Sequence, residues 1–477
     1  MTAAALADAP PAVAQGQPPP PPPSAQPART LQMPPSLQTF LGGVPTGSAS
    51  GETITITIVD AIRRALEHNL GVLTADDQLG RAQGARWLAL SNVLPNINAR
   101  LSETRQIINL AAFGFQGTPG TPFADLPTLI GPFNVFDARV YLSQSVFDSY
   151  AINNTRAEGH NVIAAKLTQQ NARDLVIHVA GNMYIQALAA SARADSARAQ
   201  RQTAQTLYTQ AADLRAGGIT AGIDVLRAQV QLSTETQRVT ATVNEFEKAK
   251  LQLARIIGLP LGQKFDLDPA VPDVPAADLP LEQTVERAMQ QRHDYQAALE
   301  RVRAAEAAKR AAIGEGLPSA RVNADYGAIG LTPSDAQGTY ALVGAVNVPI
   351  FQGGHTRGRI LEADADLKQR QAEADDLRAS IYYEVRTAYL DLQATQEQLQ
   401  VAERARDLAA QQLTQARDRF AAGVASNIEV VQAQEAVALA NEQFIDAQFG
   451  YDLAKGALIR GVGASQDVLR QLIGGTR

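Results

Sequence analysis

LTQARDRFAAGVASNIEVVQAQ, residues 413–434, is preceded in the same chain by YTQAADLRAGGITAGIDVLRAQ, residues 208–229. The two stretches align without a gap at an offset of 205 (413 − 208), and ten of 22 positions are identical, from Thr209/Thr414 to Gln229/Gln434. Upstream of Gly218 and Gly423 the pattern is helical, and each glycine supplies the permissive backbone of a helix end. Asp224 and Glu429 fall in the first turn of a following helix, where the dipole favours acid. Each stretch reads as the tip of a helical hairpin.

The repeat extends in both directions. Downstream, Leu253, Arg255 and Gly258 match Leu458, Arg460 and Gly463; upstream, Tyr184 matches Tyr389. An offset of 204 joins Val146-Phe147 to Ile350-Phe351, and one of 223 joins Ala65 to Ala288 and Leu94-Pro95 to Leu317-Pro318. The chain from about Ile56 onward is therefore one unit used twice. The change from 223 to 204 puts 19 extra residues in the first half between Pro95 and Phe147, where Gly114, Gly117, Pro119, Gly120, Pro122, Pro127, Gly131 and Pro132 mark a long loop. The expected divisions are a Pro-rich disordered segment (1–52), a first repeat (53–265), a second repeat (266–463) and a tail (464–477). Thr2 to Ala9 lacks the charged and apolar regions of an intact signal peptide.

Composition narrows the class. The net charge of −6 includes no basic run, so nucleic acid has no electrostatic footprint here. Cysteine is absent, which removes disulfides, thiol catalysis and iron–sulfur clusters. No run of 18 consecutive apolar residues announces a transmembrane helix, so a membrane span has to be a β-barrel. The five histidines, at 68, 160, 178, 293 and 355, show no paired ligand spacing, and HExxH, P-loop and GxSxG motifs are missing. Surface or packing histidine is the default, Trp87 reads as core packing, and neither an enzyme nor a cofactor is expected.

Two periodicities alternate along each half. After Pro95 the period falls to 2: Ile97, Ala99 and Leu101, then Phe136, Ala138, Val140 and Leu142, alternate with polar neighbours. Val322, Ala324 and Tyr326, then Tyr340, Leu342, Val346 and Val348, do the same in the second half. Strand pairs are expected within 96–147 and 319–351. Long helical hairpins follow at 153–257 and 355–459, preceded by shorter helices near 58–69, 72–90 and 294–313. Positions 381, 385, 388, 392, 395, 399, 402, 406, 409, 413, 416 and 420 keep a strict 4,3 spacing with only Thr395 and Arg406 polar, the signature of a left-handed coiled coil. A first rod of 64 residues (153–216) spans roughly 96 Å, too long for a globule.

Four strands form an open sheet whose unpaired backbone groups cannot face lipid, so closure requires copies of the chain. Two copies would supply 8 strands and three would supply 12. The other reading is a soluble periplasmic coiled-coil scaffold or adaptor without a pore.

From Ile56 to Gly463 the order of helix, Leu-Pro, strand pair, Phe and long helix, with the two tips, resembles the TolC-like outer-membrane factors. The resemblance implies a mainly α fold with membrane β: internally duplicated long helical hairpins that form a homotrimeric 12-helix tunnel, topped by a shared 12-stranded barrel in the Gram-negative outer membrane. It implies an exit duct for drugs, other small solutes or secreted protein, working with a periplasmic adaptor (membrane fusion) protein and an inner-membrane transporter. It places the pore entrance and gate at Asp224, Glu429, Gln432 and Phe420, with Phe420 where some members carry tyrosine and Gln432 where they carry acid. It places adaptor docking at Gly217, Gly218, Ala422 and Gly423.

Overall fold

The computed structural model describes residues 39–113, 127–218, 221–272, 280–422, 424 and 427–474. The first half runs β1 (Ile54–Ile56), α1 (Ile58–His68), α2 (Leu70–Ser91), β2 (Asn96–Asn109), β3 (Leu129–Phe147), α3 (Ser149–Ala216) and α4 (Gly222–Ile256). After β4 (Phe265–Leu267) the second half runs α5 (Leu281–Gln291), α6 (His293–Gly314), β5 (Ser319–Gly330), β6 (Gln337–Asn347), α7 (His355–Ala421) and α8 (Asn427–Val462), and α9 (Ser465–Gly474) closes the chain. The starts of α5, α6 and β5 each fall 223 residues after those of α1, α2 and β2 (281 − 58, 293 − 70, 319 − 96), and α8 starts 205 after α4 (427 − 222). The repeat read from sequence is thus a repeat of elements.

Local signals set the helix starts. Thr57 and Asp60 form a capping box at α1, and Asp148 accepts from the Ala151 amide at 2.9 Å to start α3. Helices α3 and α7, 68 and 67 residues long, are each about 100 Å rods. Over half its length α3 packs between α4 and α8, and over the other half between α2 and α6; α7 lies beyond, against α8 and α6. On α7 the 4,3 stripe faces α5 at Ile381 and Val385 and α8 beyond: Ile381, Val385, Ala388, Leu392, Ala402, Ala409 and Ala416 are buried, and the other five stripe positions are half-buried. The two polar exceptions have local solutions. Thr395 donates to the Asp391 carbonyl at 2.7 Å, and the Arg406 guanidinium lies over the Phe444 ring at 4.0 Å.

The largest apolar cluster surrounds the middle of α3, where Val176, Val179, Tyr184 and Leu188 meet Ile56, Ile58 and Ile62 from the β1–α1 region, Leu253 and Ile256 from the end of the first hairpin, and Phe265 from β4. The Tyr184 hydroxyl lies 2.9 Å from the Ile56 carbonyl and 2.7 Å from that of Asp268, and burial holds its pKa far above the usual phenol value. Among the described residues α3 alone carries an 18-residue window apolar enough for a membrane span, but 56% of that window is buried in the protein. Its hydrophobicity serves this core.

The sheet is antiparallel with strand order β2-β3-β5-β6. Both hairpins use one register: Ile97 opposes Leu142 in the first and Ala320 opposes Val346 in the second, offsets of 223 and 204. Strand β3 has 19 residues and starts at Leu129, earlier than the alternation beginning at Phe136 indicated. Its pairing with β5 ends at Phe136↔Gly330, and β2 and β3 continue past that point to Asn109↔Leu129. Part of the 19-residue insertion therefore lengthens a strand pair, because Ile130 and Phe133 interrupt the Gly/Pro signal that reads as loop. Residues 114–126 lie outside the described segments.

Other expectations change too. Residues 39–46, assigned by composition to the disordered segment, lie against the body: Asn69 donates to the Phe40 carbonyl at 2.7 Å, and the Val44 amide to the His68 carbonyl at 2.8 Å. Gly71 permits the approach, since a Cβ there would lie 2.1 Å from the Phe40 ring. Within the crossover, β4 pairs in parallel with β1, a three-residue ladder too short for periodicity to announce. The tail contains α9, whose Leu469 is buried in the main cluster. Trp87 is not core: it stands 68% exposed on the outer side of α2.

Candidate functional site

At each tip a helix end and the start of the next helix are held by a small core. At the first, Ala211, Val225 and Ala228 are buried with Tyr208 against them; at the second, Ala416, Val430 and Ala433 are buried with Leu413. These are the same repeat positions, 205 apart. Leu207 of α3 also joins the second tip core, so the two hairpins touch near their ends. The helix ends match as well: the Gly217 amide bonds the Asp213 carbonyl and the Ala422 amide the Asp418 carbonyl, both at 3.0 Å. Gly218 has φ +70°, the left-handed conformation in which a Cβ is strained. Gly423 lies outside the described residues.

The remaining site residues divide by environment. Gln432 is exposed, and Phe420 is half-buried, its ring against Ala416, Val430 and Ala433. Its repeat equivalent is Arg215, so this packing belongs to the second tip alone. Glu429 faces Arg419 across the tip at 3.3 Å, and Asp224 faces Arg227 one turn along α4 at 3.3 Å. Each carboxylate has a cation beside it, which weakens the field it projects.

Sequence reading missed a buried polar junction where α3, the α5–α6 bend, α7 and α8 meet. Arg292 grips Asp294 with Nε at 3.1 Å and an Nη at 2.7 Å, and reaches Glu384 at 2.6 Å. Burial opposes its charge, but Asp294 and Glu384 outweigh that and raise its pKa. Asp174, itself buried, meets His293 at 2.7 Å, and Arg460 donates to Asn171 at 3.0 Å. Burial and the nearby Arg460 cation push His178 down to about 4. Its neutral ring has Nε2 3.1 Å from the Asn182 amide nitrogen and bonds the Gly456 backbone. The available signal was polar residues at inward positions of apolar helices, which heptad counting treats as noise.

The sheet separates its residues by face. Three successive rows, Ile97-Leu142-Ala324-Leu342, Ala99-Val140-Tyr326-Tyr340 and Leu101-Ala138-Ala328-Gly338, make one face apolar. The other carries Asn98, Arg100, Asp137, Arg139, Tyr141, Ser143, Asn323, Asp325 and Thr339. Strands β2 and β6 form the two open edges. Alternation of this kind, over strands of 11 to 19 residues, suits lipid outside and water inside a barrel.

The family model for outer membrane efflux proteins matches residues 284–464. No curated protein matches the chain in sequence. Among solved structures, the Campylobacter jejuni CmeC outer membrane channel has the same fold at TM-score 0.74, with 16% identity over 92% of this chain and 95% of that one. The outer membrane protein VceC from Vibrio cholerae matches at 0.71, with 19% identity over 85% and 96%. The Neisseria gonorrhoeae MtrE outer membrane channel, in its open state, matches at 0.70, with 16% identity over 89% and 95%. The family match covers the second half, the likeness of fold covers both, and the internal repeat makes the first half a version of the second. Residues 284–464 match the outer membrane efflux protein family, and the chain as a whole shares the fold of these outer membrane channels.

Proposed function

We propose that three copies of this chain form the exit duct of a tripartite efflux pump or type I secretion system, carrying solutes from the periplasm through the outer membrane. One observation supports this above the others: the four-stranded sheet has two unpaired edges, one apolar face and one polar face. In lipid each unpaired backbone group costs several kcal/mol, so the edges must meet edges of other copies. Strand direction allows it, because β6 and β2 run oppositely and a next copy's β2 continues the antiparallel order. The helical layer is open in the same way. Its outer helices carry exposed apolar residues, Ile223, Leu226, Val230 and Leu251 on α4 and Tyr383, Leu390, Val401 and Leu408 on α7.

On this reading the tips Gly217, Gly218, Ala422 and Gly423 meet a periplasmic adaptor, and Asp224, Glu429, Gln432 and Phe420 surround the entrance. A passive duct draws its energy from an inner-membrane partner. Expression in a Gram-negative host, followed by membrane fractionation and light scattering in detergent, tests the proposal. The expected result is a trimer released from the outer membrane only by detergent; a buffer-soluble monomer or dimer would sink the idea.

A further inference from the structure

The polar face of the sheet holds five charges, and they are unevenly matched. Arg139 on β3 contacts two carboxylates, Asp137 at 2.8 Å from Nε and Asp325 on β5 at 3.1 Å. Gly327 opposes Arg139 in the register, and a Cβ there would lie 2.6 Å from Arg139 Cγ. The missing side chain is what lets the guanidinium lie across β5. Both acids of this face are thus spent on one arginine.

Arg100 and Arg321 remain. Both are exposed, and among the described residues neither has a carboxylate within ion-pair distance. Arg100 shares its row with Arg139, Gly327 and Thr339; Arg321 shares its row with Ser145 and Ala345. Assembly does not supply the missing acid. The residues of β6 on this face are Gln337, Thr339, Ala341, Val343, Ala345 and Asn347, so in any register β6 of one copy brings no carboxylate to Arg100 of the next. Three cations against two anions leave one positive charge per copy on the inner wall. At the tips, by contrast, Glu429 and Asp224 each have an arginine at 3.3 Å.

We propose that Arg100 and Arg321 make the barrel lumen anion-selective, so that the small solutes favoured by the duct carry carboxylate or phosphate groups. This rests on the duct reading above. Like charges around a confined pore add their fields, and basic rings favour anions.

The test uses the full chain in planar bilayers under a steep KCl gradient. The parent should show a reversal potential on the chloride side, and inorganic phosphate should reduce its chloride current. Arg100→Gln with Arg321→Gln should lower the chloride-to-potassium permeability ratio by about twofold or more, whereas Arg100→Lys with Arg321→Lys should keep it. Conductance with an unchanged ratio in the Gln pair overturns this inference alone; no conductance from the parent overturns the duct reading and this inference with it. Should the Gln pair not insert, Arg100→Cys in this cysteine-free chain can be labelled with cationic or anionic thiol reagents. Equal reversal potentials with the two labels would then overturn it.

Discussion

Arg139 on β3 and Asp325 on β5 meet at 3.1 Å, and that contact joins the two halves of the chain across the middle of the sheet. Arg139→Gln should weaken the barrel by about 1–3 kcal/mol, since it strands two carboxylates in a partly covered site. Gly327→Ala should be worse, because the added Cβ would lie 2.1 Å from the Ala138 carbonyl oxygen, a backbone atom that cannot swing aside. The temperature at which folded protein converts to the unfolded mobility in detergent gels measures both. Equal resistance in parent and G327A would show that the strands part there without cost.

The register within the chain forecasts the register between copies. Leu142 opposes Ala324 where the two halves meet. Carrying that pair through the repeat offsets (142 + 204 and 324 − 223) gives Val346 opposite Leu101 of the next copy. Leu101→Cys with Val346→Cys should oxidise to a covalent trimer, helped by the absence of native cysteines. Crosslinks that form instead with cysteines placed two residues away on either strand would reject this register.

His178 gives a pH dependence. With a folded value of about 4 against an ordinary 6.5, the unfolded chain binds more protons than the folded one between those pH values. Stability is therefore full above pH 6.5 and falls by roughly 1.4 kcal/mol per pH unit down to about pH 4. Thermal melts of detergent-solubilised protein across that window should show the decline, and His178→Asn should flatten it. A variant curve parallel to the parent's would assign the decline to other groups at the junction.

At the proposed entrance, Arg419 lies 3.3 Å from Glu429 and masks its charge. Arg419→Gln should expose the Glu429 carboxylate and strengthen block by a trivalent cation applied from the tip side, most visibly at low salt. Adding Asp224→Asn and Glu429→Gln should remove the block. If single-channel recordings show the same block in all three proteins, these acids face away from the pore.

Gly218 tests docking separately. Its φ of +70° makes any side chain strained, by about 1–2 kcal/mol, and nothing lies within 4 Å of a Cβ placed there. Gly218→Trp should reduce export while trimers persist in the outer membrane. Full export by such trimers would exclude this turn from the adaptor contact.

Much of this architecture was legible because duplication and periodicity are long-range signals. The heptad stripe from 381 to 420 is the buried stripe of α7, and the alternation at Ile97 and Val322 marks the strands that form. What escaped depends on which atoms meet in three dimensions. Asn69 and Arg292 occupy the same bend in the two halves, both buried, yet Asn69 bonds a passing backbone and Arg292 anchors a charge network; sequence position does not distinguish them. Trp87 misled for a related reason, since a large apolar residue is buried only if a neighbour covers it, and within one copy none does. The site was less legible than the fold. Tip positions followed from the repeat, but the arginines beside Asp224 and Glu429 and the packing of Phe420 required coordinates.

The pairing of β2 with β3 beyond Gly330 has a consequence for symmetry. At the tips the two halves carry matching cores, so the proposed trimer would present six nearly equivalent hairpins, close to a sixfold ring, to a partner docking there. At the opposite rim only the first half has the longer strand pair, so in the proposed trimer three tall hairpins would alternate with three short ones in a strictly threefold ring. On that reading the assembly would offer about twice as many binding positions at one end as at the other.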